Sequence, residues 1–433
     1  MMPAPLTDAE RALAASLFTE LFDALAAIGG EPGGAVTRLA LTPELAQAER
    51  WFDATAARLG MDVTVDRNGN RWAGGTQRAA IMTGSHLDTV PHGGRFDGAL
   101  GVVCGLIAAH LVRRRGARRA VGVVAFADEE GGRFDTPTFG SRLMVGALAP
   151  DAVLERRDRA GVTLREALRD AGMDPDALGR DDESVGRIAA FVELHVEQGT
   201  LLSERGRPLG IGSAIRPHGR WRFDLTGEAN HGGTTELDAR RDPMIALAEL
   251  IEAAAHSARE HGALATVGKL EVFPNASNSV AGRVSAWLDV RAEETDAVAR
   301  VVEDVTGAVR ARVASARVEL AVSRESDVPR VRFAAELRER VAATLAERGL
   351  APLPLDTGAG HDAGALAARV PTAMLFVRSS SGVSHSAAEA AAPADCLTGI
   401  AALAAVLEDL ANDAPPPPTT AARGEGGRDA ALA

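Results

Sequence analysis

Four short apolar runs constrain this fold more than any other feature: AAIMTG at 79–84, AVGVVAFA at 120–127, IAAFVELH at 188–195 and PTAMLFV at 371–377. Runs of that length, separated by helical stretches such as GVVCGLIAAHLVRRRG at 101–116, read as strands covered on both faces. The alternation predicts a layered α/β domain around a mostly parallel central sheet. In such a sheet the strand C-termini share one edge, and ligands bind in the crevice outside it. Each run ends in or is soon followed by a candidate ligand: His86, the pair Glu129 and Glu130, His195, and His385.

The pattern changes near residue 213. Strand, helix, strand, strand, helix, strand follow through RWRFDLTGEA, DPMIALAELIEAAAHSAREHG, TVGKLEVF, RVSAWLDVRA, 294–313 and RVELAVS, a split βαβ arrangement that makes a compact two-layer unit. The expected organisation is a catalytic domain at 1–212 plus 327–413, an inserted lid and dimerisation domain at 213–326, and a disordered Pro-, Gly- and Ala-rich tail at 414–433. The catalytic domain opens with two helices. One, over 9–28, has Thr7 and Glu10 spaced as a capping box, and the next starts with Thr42 as cap and Pro43 at its first position.

The charge balance, 47 Lys+Arg against 59 Asp+Glu, argues against a nucleic-acid or anionic-membrane surface. No stretch reaches the roughly 20 apolar residues of a membrane span. The start of the chain has no basic n-region of a secretion signal. Cys104 and Cys396 are too few for a disulfide framework and lie in apolar surroundings, so the chain is expected in the reducing cytoplasm.

Asp97 stands eleven residues after His86, at the start of the next helix. With it the sheet edge collects three imidazoles and several carboxylates, a donor set suited to two divalent metals about 3.5–4 Å apart, bridged by one carboxylate. Asp88, two residues after His86, is placed to accept the second ring N–H of that histidine and fix its tautomer. Glu129 and Glu130 alternate in direction on an extended backbone, so one can bind metal while the other remains a free base. His92, His110, His218, His256 and His261 read as surface or packing residues. DTGAG at 356–360 resembles an aspartic-protease tripeptide but occurs once, whereas that dyad needs two copies. GAGHDAG at 358–364 lacks the spacing of a dinucleotide turn, and no strand is expected directly before it.

The segments GSHLDTVPHGGRFDGALG, DEEGGRF, ELHVEQG, GEANHGGTT, NSVAGRVSAWLDVR, GAGHDA and SGVSHSAAE resemble, in order, the hydantoinase/carbamoylase branch of the di-metal peptidase-like amidohydrolases. That branch contains N-carbamoyl-L-amino acid hydrolases, β-ureidopropionases and allantoate amidohydrolases. The resemblance covers about residues 10–412. It implies metal ligands His86, Asp97 (bridging), Glu130, His195 and His385, with Glu129 as general base and zinc, manganese or cobalt as the ions. It also implies that Gln198, His231, Asn278 and Arg291 hold the substrate, with His231 completing the catalytic set. His231, Asn278 and Arg291 would do so from the lid of a homodimer, in the partner's active site.

The expected reaction is hydrolysis of a ureido C–N bond in a small substrate that also carries a carboxylate. An N-carbamoyl-L-amino acid would give amino acid, CO2 and ammonia. Allantoate is the alternative within the branch, and a di-metal aminoacylase or exopeptidase the alternative outside it.

Overall fold

The computed structural model describes residues 6–75 and 77–413; the tail expected at 414–433 lies outside the described residues. The first helix, Asp8–Ala27, carries both halves of its capping box, since the Thr7 hydroxyl accepts from the Glu10 N–H while the Glu10 carboxylate accepts from Thr7 N–H. Thr42 likewise caps Pro43–Arg58 through the Leu45 N–H.

A nine-stranded sheet forms the larger layer. Its centre is four parallel strands side by side, Val121–Phe126, Ala80–His86, Ile188–Val196 and Thr372–Val377. Antiparallel pieces finish both ends: Arg71–Gly74 and Val63–Val65 on one side, Leu209–Ile215 and Val331–Arg332 on the other. Helices cover both faces, which is why the central strands are buried along almost their whole length. One face packs on Ala99–Arg114, Pro393–Asn412 and Asp8–Ala27, in a core that includes Leu106, Ile107, Leu403, Val406 and Phe22. Cys104 and Cys396 are buried thiols in this layer, with no disulfide.

Two elements here escape the sequence pattern. Pro393–Asn412 is a long helix so thoroughly buried, from Cys396 through Leu410, that it shows no polar stripe to mark its period. The strand Leu353–Thr357 runs parallel to Leu209–Ile215 and leads directly into Gly358. The GAGHDAG segment therefore does follow a strand, contrary to the reading from sequence; two prolines in the preceding stretch had hidden it.

The chain leaves the large sheet after Ile215 and returns at Val331. Between them lies a four-stranded antiparallel sheet in the order Glu319–Val328, His218–Thr226, Arg283–Arg291, Leu264–Phe273. One face carries Phe223, Leu225, Val284 and Leu288 and packs on Pro243–Glu260 and Thr295–Ala316. Among the described residues no helix covers the other face, which alternates polar: His218, Arg220, Arg222 and Asp224 stand opposite Arg291, Asp289, Trp287 and Ser285. Lys269 on this face reaches Asp135 of the large layer at 2.8 Å, so the bare face looks toward the parallel sheet's edge.

Candidate active site

Residues from separate strand ends meet at that edge. His86 closes its strand and His195 nearly closes the next, both rings essentially buried. The ring of His86 donates its Nδ1–H to the Asp88 carbonyl at 3.0 Å, and His195 does the same to the Val196 carbonyl at 2.8 Å. A carbonyl can only accept, so in each neutral ring Nε2 is left as a bare lone pair. Both Nε2 atoms face the same oxygen, Oδ1 of Asp97, at 3.4 and 3.1 Å, and that of His195 also lies 3.3 Å from the Gly98 N–H. An Nε2 can face a carboxylate oxygen either as a protonated donor, a form the nearby acids favour in both rings against the cost of burial, or as a lone pair with a cation between the two.

The second oxygen of Asp97 looks the other way. Oδ2 lies 3.6 Å from His385 Nε2, which is 3.4 Å from Glu130 Oε2. Asp97 thus belongs to two sets, His86–Asp97–His195 and Asp97–Glu130–His385, each with three ligand atoms within 4.8 Å of one another. Buried His86 Nε2 and Glu130 Oε1 have no hydrogen-bond partner among the described residues. A nitrogen and oxygen donor set with orphaned buried atoms and a shared carboxylate fits two divalent ions. Burial alone would raise the Asp97 carboxyl, but His195 and His86 hold it well below the usual carboxylate range.

Local sequence explains how the edge is built. Gly98 sits at φ 65°, and a Cβ there would collide with the His86 ring. Glycine in FDGALG therefore makes the room that lets Asp97 and His86 share one point. Asp97 is also held by its backbone, because Glu389 accepts the N–H groups of Phe96 and Asp97 at 2.7 and 3.0 Å. Ser384 ties the same two acids together, donating to Asp97 Oδ2 at 2.9 Å. His385 itself has φ 54°, a costly conformation for a side chain with a Cβ, and the kind of strain that gathers at functional loops.

Two details differ from the sequence reading. Asp88 does not orient His86 with its carboxylate; its carbonyl does, and the carboxylate, 3.6 Å from the ring, accepts the N–H groups of Glu129 and Glu130 at 3.1 and 3.0 Å. The two glutamates diverge, but not through strand pleating, since their strand ends at Phe126 and Asp128 turns at φ 51°. The clamp on their N–H groups sends Glu129 Oε2 to within 3.8 Å of His86 Nε2 and Glu130 toward His385. Glu129 is buried and lies outside both ligand sets. Burial pushes its carboxyl well above the usual range, and the nearby acids Asp362 and Glu130 push the same way, against His86.

The expected substrate residues divide. Gln198 donates to Asp97 Oδ2 at 2.8 Å and stands at the edge of the ligand sets. His231 pairs with Ser279 in the bridge Asn230–His231 with Ser279–Val280, and Asn278 stands just before it, its carbonyl accepting the Gly232 N–H; both are exposed. Arg291 is different: its Nε donates to Asp289 and a terminal nitrogen to the Gly358 carbonyl, both at 2.8 Å, leaving a further N–H on each terminal nitrogen. The resemblance implied that Arg291 serves the partner's site, but here it leans on its own chain, next to the loop that carries His361.

His361 is the residue the sequence reading missed, with Asp362 and Glu193. Its buried ring packs edge-on against His195 at 4.5 Å. Burial and the neighbouring His195 charge push its pKa well below the ordinary value. Glu193 accepts from Ser85 at 2.8 Å and from Ala363 N–H at 3.0 Å, and Asp362 accepts from Ser141 at 2.5 Å. The one available signal was their position: the Glu lies on the same strand as His195 and the other two lie within GAGHDAG.

The pattern of peptidase family M20/M25/M40 matches residues 82–409, and the chain belongs to that family. Within it the similarity runs to amidohydrolases. The chain is 39% identical over 398 residues to an N-carbamoyl-L-amino acid amidohydrolase of Geobacillus stearothermophilus, covering 89% of this chain and 96% of that one. It is 34% identical to an allantoate amidohydrolase of Escherichia coli K12, with coverage of 89% and 96%. The crystal structure of a hydantoinase/carbamoylase-family amidase from Burkholderia vietnamiensis superposes with a TM-score of 0.87 at 30% identity, over 92% of this chain and 98% of that one. Among the described residues no helix is long and apolar enough to cross a membrane.

Proposed function

We propose that this enzyme is a metal-dependent amidohydrolase that cleaves a ureido C–N bond in a small ureido acid, an N-carbamoyl-L-amino acid or allantoate. The observation that carries the reading is Asp97, whose two oxygens serve two ligand sets beside a buried glutamate that belongs to neither. The relatives named for both substrates support the ureido class.

His86, Asp97, His195, Glu130 and His385 are the residues that would hold two divalent ions. Bound there, the ions supply Lewis acidity, bringing a water toward ionisation at neutral pH and polarising the scissile carbonyl. Glu129 takes the water proton and later delivers it to the leaving nitrogen. His231 accepts the Gly233 N–H at Nδ1, so its neutral ring carries the proton on Nε2 and can donate to the oxygen where charge builds. The free N–H groups of Arg291 clamp the substrate carboxylate, and Asn278 and Gln198 add neutral donors.

His231 and Asn278 are exposed within their own chain, which fits a homodimer in which they complete the partner's site. The lid bears the surface for one: Met244, Ile245 and Ile251 on one helix, and Leu264, Leu270 and Phe273 on the open edge strand, are all at least 40% exposed. An open edge with an apolar flank invites pairing about a two-fold axis.

The test is hydrolysis of a panel of N-carbamoyl-L-amino acids, their amides, allantoate, N-acetyl amino acids and dipeptides, followed as ammonia release for the ureido substrates and as new free amino groups for the N-acetyl amino acids and dipeptides, after stripping and reloading with Zn, Mn or Co. Chelation abolishing turnover, with ureido acids cleaved well ahead of their amides, is the expected result. Faster cleavage of dipeptides or N-acetyl amino acids, or full turnover with only trace metal, would overturn the reading.

A further inference from the structure

From sequence His218 reads as a surface or packing residue, but its ring stands beside the carboxylate clamp. It pairs directly opposite Arg291 across the two central lid strands, so the two side chains share the bare face that looks toward the catalytic edge. Arg291 donates to the carbonyl of Gly358. Two residues further on, a Cβ built on Gly360 would have one neighbour within 4 Å, His218 Nε2 at 3.8 Å. The next residue is His361, packed on His195. Arg291 and the ring of His218 thus look onto one loop, whose far side is the metal-ligand cluster.

The tautomer of His218 follows from its backbone neighbour. Nδ1 lies 3.0 Å from the Arg216 carbonyl, which can only accept, so Nδ1 holds the proton and Nε2 in the neutral ring is a lone pair. Among the described residues no donor is hydrogen-bonded to that nitrogen. Burial, then the positive charge of Arg291, lowers the pKa of the ring and keeps it neutral.

An acceptor with no donor, half-buried beside a carboxylate clamp, discriminates among ligands. A substrate held at Arg291 by its carboxylate presents the other substituent of its α-carbon close by. An alkyl group there strips water from Nε2 and gives nothing back, which costs more than an ordinary hydrogen bond gains. A second carboxylate would meet the lone pair with its own. An N–H group satisfies it.

We infer that His218 is a specificity-determining residue whose Nε2 accepts an N–H from the α-carbon substituent of the substrate, selecting a diureido acid over an alkyl ureido acid. The inference rests on the ureido reading above and narrows it.

Steady-state kcat/KM for allantoate and for N-carbamoyl-L-alanine, measured on the metal-loaded wild type and on His218→Leu and His218→Gln, tests it. The wild type is expected to prefer allantoate. His218→Leu should lower the allantoate to N-carbamoyl-L-alanine ratio by about 10- to 100-fold, as loss of one well-placed acceptor does. His218→Gln, which keeps an acceptor oxygen, should hold the ratio within about threefold of wild type. N-carbamoyl-L-alanine uses the same metals and clamp, so its turnover separates a lost preference from a damaged fold. A wild type that prefers N-carbamoyl-L-alanine, or a His218→Leu variant that slows both substrates equally, overturns the role of His218 and leaves the ureido reading standing. A wild type that cleaves neither while hydrolysing dipeptides or N-acetyl amino acids brings down both.

Discussion

The strand-borne ligands and the lid residues meant to serve the same reaction are built in opposite ways. His86 and His195 sit on parallel strands, 1% and 0% exposed, with their ring tautomers held by backbone carbonyls. His231 stands exposed on a two-residue bridge and Asn278 exposed beside it. Burying the first group makes its geometry independent of substrate, because packed strands do not reorganise when a small molecule arrives. Exposing the second leaves its geometry to whatever closes over it. Arg291 falls between the groups, on the lid but anchored to the loop of the catalytic layer.

Three experiments sharpen that contrast. The largest effect is expected inside the buried group. Glu129→Gln should lower kcat by about 10²–10⁴, the usual size of general-base catalysis, while metal analysis still finds wild-type content. Glu129 must be deprotonated to act, so the wild-type kcat/KM should rise with pH through a limb set above 4.5, the ordinary glutamate value, because burial raises this carboxyl. The variant should lose that limb. Metal lost along with the rate would make Glu129 a ligand and Glu130 the candidate base.

A smaller effect is expected one step further out. Asp88→Asn keeps the carbonyl that orients His86 but weakens the charge-assisted grip on the N–H groups of Glu129 and Glu130. Loss of such a supporting contact should cost about 10- to 100-fold in activity or metal affinity. A variant with wild-type kcat and metal content would show that the turn at Asp128 holds the glutamates unaided.

The smallest change tests the exposed group, and it is a gain. Glu129→Gln and His231→Ala chains, each inactive alone, are mixed under conditions that exchange subunits. If His231 serves the partner, one site of each mixed dimer is intact, and activity should return toward about a quarter of native at random exchange. Verified exchange without recovery would put His231 in the site of its own chain. Arg291→Ala in place of His231→Ala should give no recovery, because Arg291 leans on its own chain.

Much of this was legible in the chain. Apolar runs covered on both faces announce themselves by composition, and a parallel sheet then dictates that their C-terminal ends share an edge, so His86, Glu129, Glu130, His195 and His385 could be grouped without coordinates. Capping at Thr7 and Thr42 is likewise local chemistry, written within four residues. The lid sheet showed itself through period-two alternation, because one of its faces stays polar.

What needed the tertiary structure is whatever depends on contacts between distant segments. Pro393–Asn412 hides because burial all round erases the contrast that periodicity needs. The strand Leu353–Thr357 hides because its residues are chosen by the neighbour it pairs with. Whether Asp88 uses its carbonyl or its carboxylate depends on a turn some 40 residues away, and the place of Arg291 depends on the Gly358 carbonyl across the two layers. His361 and His218 gained meaning only when folding set one against His195 and the other opposite Arg291. A sequence states which donors and acceptors a chain owns, but their directions and partners are properties of packing, where a shift of one hydrogen bond turns a structural side chain into part of a site.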